Sequence, residues 1–158
     1  MDQPVDILIN NAGIGGERGG PMCDADQNDF AQVLDVNVLG PLRVTRAFLP
    51  LLRRASGPKV MTISSQLGSM TVPCERYPAY GVSKAAVNKL MVGIAADLRQ
   101  DGIAVVIAHP GWVRTDMGGS AAPLAPGESA EGLIGLLDQL TVETTGRFMN
   151  WNGTPHEW

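Results

Sequence analysis

In the stretch AYGVSKAAVNK, residues 79–89, a phenol and an ammonium stand four positions apart, Tyr80 and Lys84. On a helix that spacing projects both side chains from one face. A phenol titrates near ~10 in water, and a cation beside it favours the anion and lowers that value. A phenol drawn toward neutrality can give a proton to a carbonyl oxygen as it becomes an alcohol, or take one back. The same pair can also be an amphipathic tyrosine beside a lysine whose stem lies along apolar surface.

Three further clusters bear on the choice. Residues 60–65, VMTISS, read as a strand ending in two hydroxyls, with Ser65 fifteen residues before Tyr80. Residues 9–13, INNAG, read as a strand ending in two amides and a glycine. Residues 109–116, HPGWVRTD, read as a strand running into a tight turn with Thr115 beyond it. If the strands are parallel, all three clusters lie at carboxyl ends, where open α/β sheets bind ligands and where an active site would have to converge. His109 suggests a Ser–His pair, but a lone histidine before Pro-Gly at a strand end reads as structural.

The elements that must position these residues alternate in type. Four β-like runs, at 5–9, 59–64, 103–108 and 146–149, are separated by helical patterns at about 26–54, 79–99 and 128–140. Continuous apolar strands alternating with helices predict an α/β fold with a parallel sheet covered on both faces. The segment 115–127 reads as the most mobile loop. In the first long helix Asn37 shares the apolar face of Phe30, Val33, Leu34 and Val38, and a buried amide must find partners. Pro41 has no N–H to give the carbonyl of residue 37. The prediction is a kink that either frees this carbonyl for another partner such as water or merely fits the core. The second helix is apolar almost all round, which predicts cover on two sides, one of them a second subunit.

Composition narrows the classes. The 158 residues carry a net charge of −4, 44% hydrophobic and 18% charged residues, as in an ordinary soluble globule. With basic residues scattered, nucleic-acid and anionic-membrane binding are not expected. No apolar run approaches the ~20 residues of a membrane span, and no signal peptide is visible. Cys23 and Cys74 have no metal spacing and read as reduced thiols, so a cytoplasmic protein without a metal is expected.

Taken together, NNAG (Asn10–Gly13), the kinked-helix Asn37, the ISS serine, YGVSK and PGWVRTDM resemble the short-chain dehydrogenase/reductase family in order and spacing. The ending GRFMNWNGTPHEW is similar to its carbonyl reductases of the sniffer and C-factor type. The resemblance implies a three-layer Rossmann-like parallel sheet and NAD(P)-dependent carbonyl reduction or alcohol oxidation on a small-molecule substrate. It implies that Tyr80 exchanges the proton, Lys84 lowers its pKa and holds the nicotinamide ribose, Ser65 hydrogen-bonds the substrate oxygen, and Asn37 binds a water. On the cofactor side it implies Asn10, Ala12, Gly13, Tyr80, Lys84, Pro110, Gly111, Val113 and Thr115. A homodimer or homotetramer is also expected.

The chain departs from the family at its front, where members carry a glycine-rich turn and further strand–helix units. Residues 1–158 are therefore expected to be a single partial Rossmann domain, truncated in its N-terminal half with about four strands remaining. GIGGERGG at 13–20 places Arg18 where a G-x-G-x-x-G run from Gly13 needs glycine, and it follows the wrong strand. NADP or NAD is then expected to bind weakly or not at all. The strand at 5–9 becomes an apolar edge open to pairing with another chain. Two alternatives stand beside the oxidoreductase: a cofactor-independent esterase using Ser65, Tyr80 and Lys84, and a non-catalytic dimerisation remnant.

Overall fold

The computed structural model describes residues 3–74 and 76–158. Strands β1 (Ile7–Asn10), β2 (Lys59–Ile63), β3 (Ala104–His109) and β4 (Arg147–Asn150) form one sheet in that order, each neighbouring pair parallel. Parallel neighbours need crossovers. These are supplied by α1 (Gln27–Leu34) with α2 (Gly40–Leu52), then α3 (Pro78–Leu98), then α4 (Pro126–Gln139).

β3 shows why the strands read as unbroken apolar runs. Every residue of AVVIAH is buried, and alternate side chains go to opposite faces. Val105 and Ile107 join Leu8, Leu52, Val60, Val87 and Met91 beneath α2 and α3. Ala104, Val106 and Ala108 join Met61, Leu136, Leu137 and Leu140 beneath α4. The result is three layers, with each fully buried valine or isoleucine contributing roughly 1.5–3 kcal/mol. Ile9 pairs with Met61 across β1 and β2, and β1 is the edge strand of the sheet. Ile7 and Ile9 are accordingly 49% and 48% exposed.

Helix ends are satisfied by side chains. The Asp26 carboxylate accepts from the N–H groups of Asn28 at 2.7 Å and Asp29 at 2.9 Å at the start of α1. Lys59 Nζ donates to the Leu137 carbonyl at 2.6 Å in the last turn of α4, where a cation complements the helix dipole.

The helix expected over 26–54 is divided. Residues Asp35–Leu39 are wound wider than an α-helix, and the Gly40 N–H reaches back five residues to the Asp35 carbonyl. Pro41 cannot supply the usual bond to residue 37, and widening the turn is how the backbone accommodates that loss. In α3, Val87, Met91, Ala95 and Leu98 are buried toward the sheet, whereas Val82 is exposed. The segment expected to be most mobile is cross-braced: Arg114 donates to the carbonyls of Ala122 and Pro123, and Trp112 Nε1 to that of Gly118 at 2.8 Å. Among the described residues no helix is long and apolar enough to cross a membrane. Both cysteines are free thiols.

Ile107 is fully buried at the centre of the sheet. Ile107→Ala is expected to cost about 2–5 kcal/mol in urea unfolding, against under ~0.5 kcal/mol for Leu39→Ala on the exposed surface.

Candidate active site

The carboxyl ends of β2 and β3 and the first turns of α3 meet at one edge of the sheet. Beyond β2, the Ser64 N–H extends the ladder to the Ala108 carbonyl at 2.7 Å, and the Ser64 hydroxyl bonds Asn88 on α3. Ser65 caps the short turn Gln66–Gly68 by accepting from the Leu67 N–H at 3.2 Å. Pro78, preset for a first helical turn, opens α3 and places Tyr80 there with Lys84 one turn on.

Lys84 is buried, and its Nζ donates to the Ile63 carbonyl at 2.8 Å, at the end of β2. The ammonium lies 5.3 Å from the Tyr80 ring centroid. Asn37, 1% exposed, is saturated by its neighbours. Its Oδ1 accepts from the Ile14 N–H at 2.8 Å, and its Nδ2 donates to the Ile14 carbonyl at 2.8 Å and to Ser83 Oγ at 2.9 Å. Ser83 in turn donates to the Tyr80 carbonyl at 2.7 Å. One amide therefore ties the loop after β1 to the first turns of α3. Gly13 sits within this clasp: a Cβ there would stand 3.2 Å from Asn37 Oδ1 and 3.6 Å from Lys84 Nζ.

A cleft of about 890 Å³ opens over these residues. Of the residues singled out in the sequence, Ser65, Tyr80, Pro110, Gly111, Val113 and Thr115 line it. Lys84 and Asn37 lie behind them. Asn10 and Ala12 line a separate cleft of about 410 Å³ beside β1. The Asn10 side chain is turned inward, donating to Thr45 Oγ1 and Thr62 Oγ1 at 3.1 Å each, and its Oδ1 has no partner among the described residues. Thr115 is engaged locally, its Oγ1 accepting from the Gly118 N–H at 3.1 Å. Gly118 allows that approach, because a Cβ there would fall 2.0 Å from the Val113 carbonyl oxygen.

Sequence reasoning missed several participants. Asn11, Tyr77, Trp112 and Met117 line the cleft, and Ser83 completes the Asn37 clasp. Asn11 stands inside the NNAG run and was open to recognition; the others depend on loop placement. His109 Nδ1 accepts from the Gln66 N–H at 3.2 Å, which assigns the proton of the neutral ring to Nε2 and steadies the turn behind Ser65.

Burial dominates the electrostatics. It raises the Tyr80 phenol above its ordinary value, with the Ser65 side chain pulling it back down and Tyr77 adding to the rise. Burial of the phenol thus reverses the lowering expected from Lys84, and burial also drives Lys84 itself down to about 8. Burial, then the nearby His156, pushes His109 down to about 4.

The chain matches the family described as short chain dehydrogenase over residues 1–124 and belongs to it. More particularly, it is of the sniffer and C-factor type. It is 42% identical to the C-signal of Myxococcus xanthus over 156 residues, 98% of this chain and 93% of that protein. Carbonyl reductase Sniffer of D. melanogaster superposes with a TM-score of 0.93 at 32% identity, over 99% of this chain and 68% of that one. The NADPH-bound carbonyl reductase from chicken fatty liver gives 0.91 at 33% identity, over 99% and 67%. The chain spans 60% to 66% of the length of three further curated dehydrogenases that it matches.

Two pH effects follow. Unfolded, His109 takes a proton near 6.5, but folded only near 4. Between these values the unfolded chain binds more protons, so stability falls as pH drops from 6.5 to 4. Lys84 unfolded holds its proton to about 10.5 but folded only to about 8, so stability rises from pH 8 toward 10 by at most roughly 3 kcal/mol. Above that the raised Tyr80 acts in the opposite sense. Urea midpoints should show the alkaline rise in the native chain and its loss in Lys84→Met.

Proposed function

We propose that the cleft interconverts a carbonyl and an alcohol with NAD(P) as the redox partner, Tyr80 exchanging the proton at the substrate oxygen. One observation supports this above the rest: the Ser65 and Tyr80 hydroxyls share a cleft wall, with the buried Lys84 ammonium behind them held on the Ile63 carbonyl. Ser65 donates to the substrate oxygen as charge develops there. Tyr80, protonated at rest because burial raises it, delivers its proton to the nascent alkoxide. The phenolate so formed is stabilised by Lys84. The Asn37 clasp positions Lys84 relative to Gly13. With the phenol protonated at rest, Tyr80 is a poor base for a serine nucleophile, which disfavours the esterase alternative.

A nicotinamide dinucleotide supplies hydride chemistry when bound, and the residues present fit its nicotinamide–ribose half. Lys84 spends one of its three N–H donors on Ile63 and has two to offer ribose hydroxyls beside Gly13. Val113, Thr115, Pro110 and Gly111 form the adjoining wall. The diphosphate finds no cradle in GIGGERGG. There the Glu17 N–H is taken by the Asp29 carboxylate, and the first amides of α1 are taken by Asp26. Each lost diphosphate hydrogen bond costs ~1–3 kcal/mol, and every ~1.4 kcal/mol is tenfold in affinity.

Fluorescence titration is therefore expected to show NADPH binding within about threefold of reduced nicotinamide mononucleotide, which lacks the adenosine half. NADPH tighter by two orders of magnitude would refute the weak-diphosphate reading. Turnover of an aromatic aldehyde should fall by about 10²–10⁴ in Tyr80→Phe; equal turnover would refute Tyr80 as the proton donor.

The exposed Ile7–Ile9 edge and Val82 on α3 support a homo-oligomer. Light scattering is expected to give at least twice the 16.7 kDa chain mass; a monomer at micromolar concentration would contradict it.

A further inference from the structure

Among the described residues that line the large cleft, Arg76 is the one with a formal charge. This stands out in a chain of net charge −4. The remaining walls are apolar or neutral, with Leu67, Pro73, Tyr77, Trp112, Met117 and Leu133 giving the hydrophobic surface. Arg76 is exposed at the mouth, immediately before α3, and among the described residues it makes no ion pair. A second arginine, Arg18, is tied to the same segment of chain. The Gly19 N–H bonds the Arg76 carbonyl at 3.0 Å, and this brings Arg18 over the Tyr77 ring, 5.4 Å from its centroid. A guanidinium over an aromatic face keeps its charge and its N–H donors. Tyr77 and Tyr80 are themselves in edge contact at 6.3 Å, so the cationic mouth and the reacting phenol belong to one continuous surface.

We propose that Arg76, assisted by Arg18, anchors a carboxylate at the end of the substrate remote from its carbonyl. The inference rests on the reading of the cleft as a carbonyl site and adds a substrate class, hydrophobic oxo-acids. The apolar walls take the body of such a molecule. A carboxylate placed deeper would lie between apolar walls, where the one ammonium, Lys84, is buried and already bonded to the Ile63 carbonyl, a costly arrangement. At the mouth it meets a planar donor fork matched to its two oxygens.

The test compares para-carboxybenzaldehyde with its methyl ester, which has the same ring and aldehyde but no charge. Binding is followed by tryptophan fluorescence, since Trp112 stands in the cleft wall. At low salt the acid is expected to bind about fivefold more tightly than the ester, with the ratio falling toward one near 0.5 M salt. Arg76→Gln should bring the acid down to the level of the ester, and Arg18→Gln should have a smaller effect in the same direction. An acid-to-ester ratio near one in the native chain overturns the anchor alone, as does a ratio that survives Arg76→Gln. Failure of both compounds to bind overturns the anchor and the carbonyl site together. Discrimination that persists in a Tyr80→Phe variant, whatever its turnover, supports the anchor independently of the chemistry.

Discussion

The side-chain amide of Asn37 is the constraint on which the site depends. It is buried, and each of its hydrogen bonds goes to another segment: both polar groups of Ile14 after β1, and Ser83 on α3. An amide in that position with its partners removed costs ~1–3 kcal/mol, so the three segments are held in one arrangement. The wide turn Asp35–Leu39 carries this amide, and Pro41 removes the bond that would have kept the helix regular. The kink thus places a polar clasp inside an apolar interface, rather than only adjusting core packing.

Because that clasp keeps Gly13 against Lys84, the ammonium has little room and little water. Burial depresses Lys84 and raises Tyr80, so at both groups the neutral form is favoured more than in solution. A negative charge formed at Tyr80 would have an ammonium 5.3 Å from its ring centroid. The same apolar surroundings that make charge costly at rest strengthen its compensation when it appears.

The two edges of the sheet are treated differently. Beside β4 the chain folds back, with the Asn150 N–H on the Thr154 carbonyl, the His156 N–H on the Phe148 carbonyl, and the His156 ring stacked 4.5 Å from Phe148. Beside β1 no such cover exists among the described residues, and Ile7 and Ile9 stand half exposed. The unpartnered Asn10 Oδ1 lies on that same side, where the smaller cleft opens.

Local pattern determined much of this protein. The four strands and the helices near 79–99 and 128–140 followed from apolar runs and period, because a parallel strand buried on both faces must be apolar throughout and β3 is; the range 26–54 was read as one helix and is divided. The kink at Asn37, the spacing of Tyr80 and Lys84 on one helix face and the hydroxyls at the end of β2 were likewise legible, since each depends on spacing within one element. What tertiary structure decided was the sign of the phenol's shift and the company each polar group keeps. Whether Lys84 or desolvation governs Tyr80 depends on how much water the assembled layers exclude, which no spacing encodes. Asn10 was expected on the cofactor side, yet it turns toward Thr45 and Thr62, residues 35 and 52 positions away. Arg76 became the charged residue of the cleft only when loops from three strand ends met around it, because a side chain's electrostatic meaning is set by what the fold brings beside it.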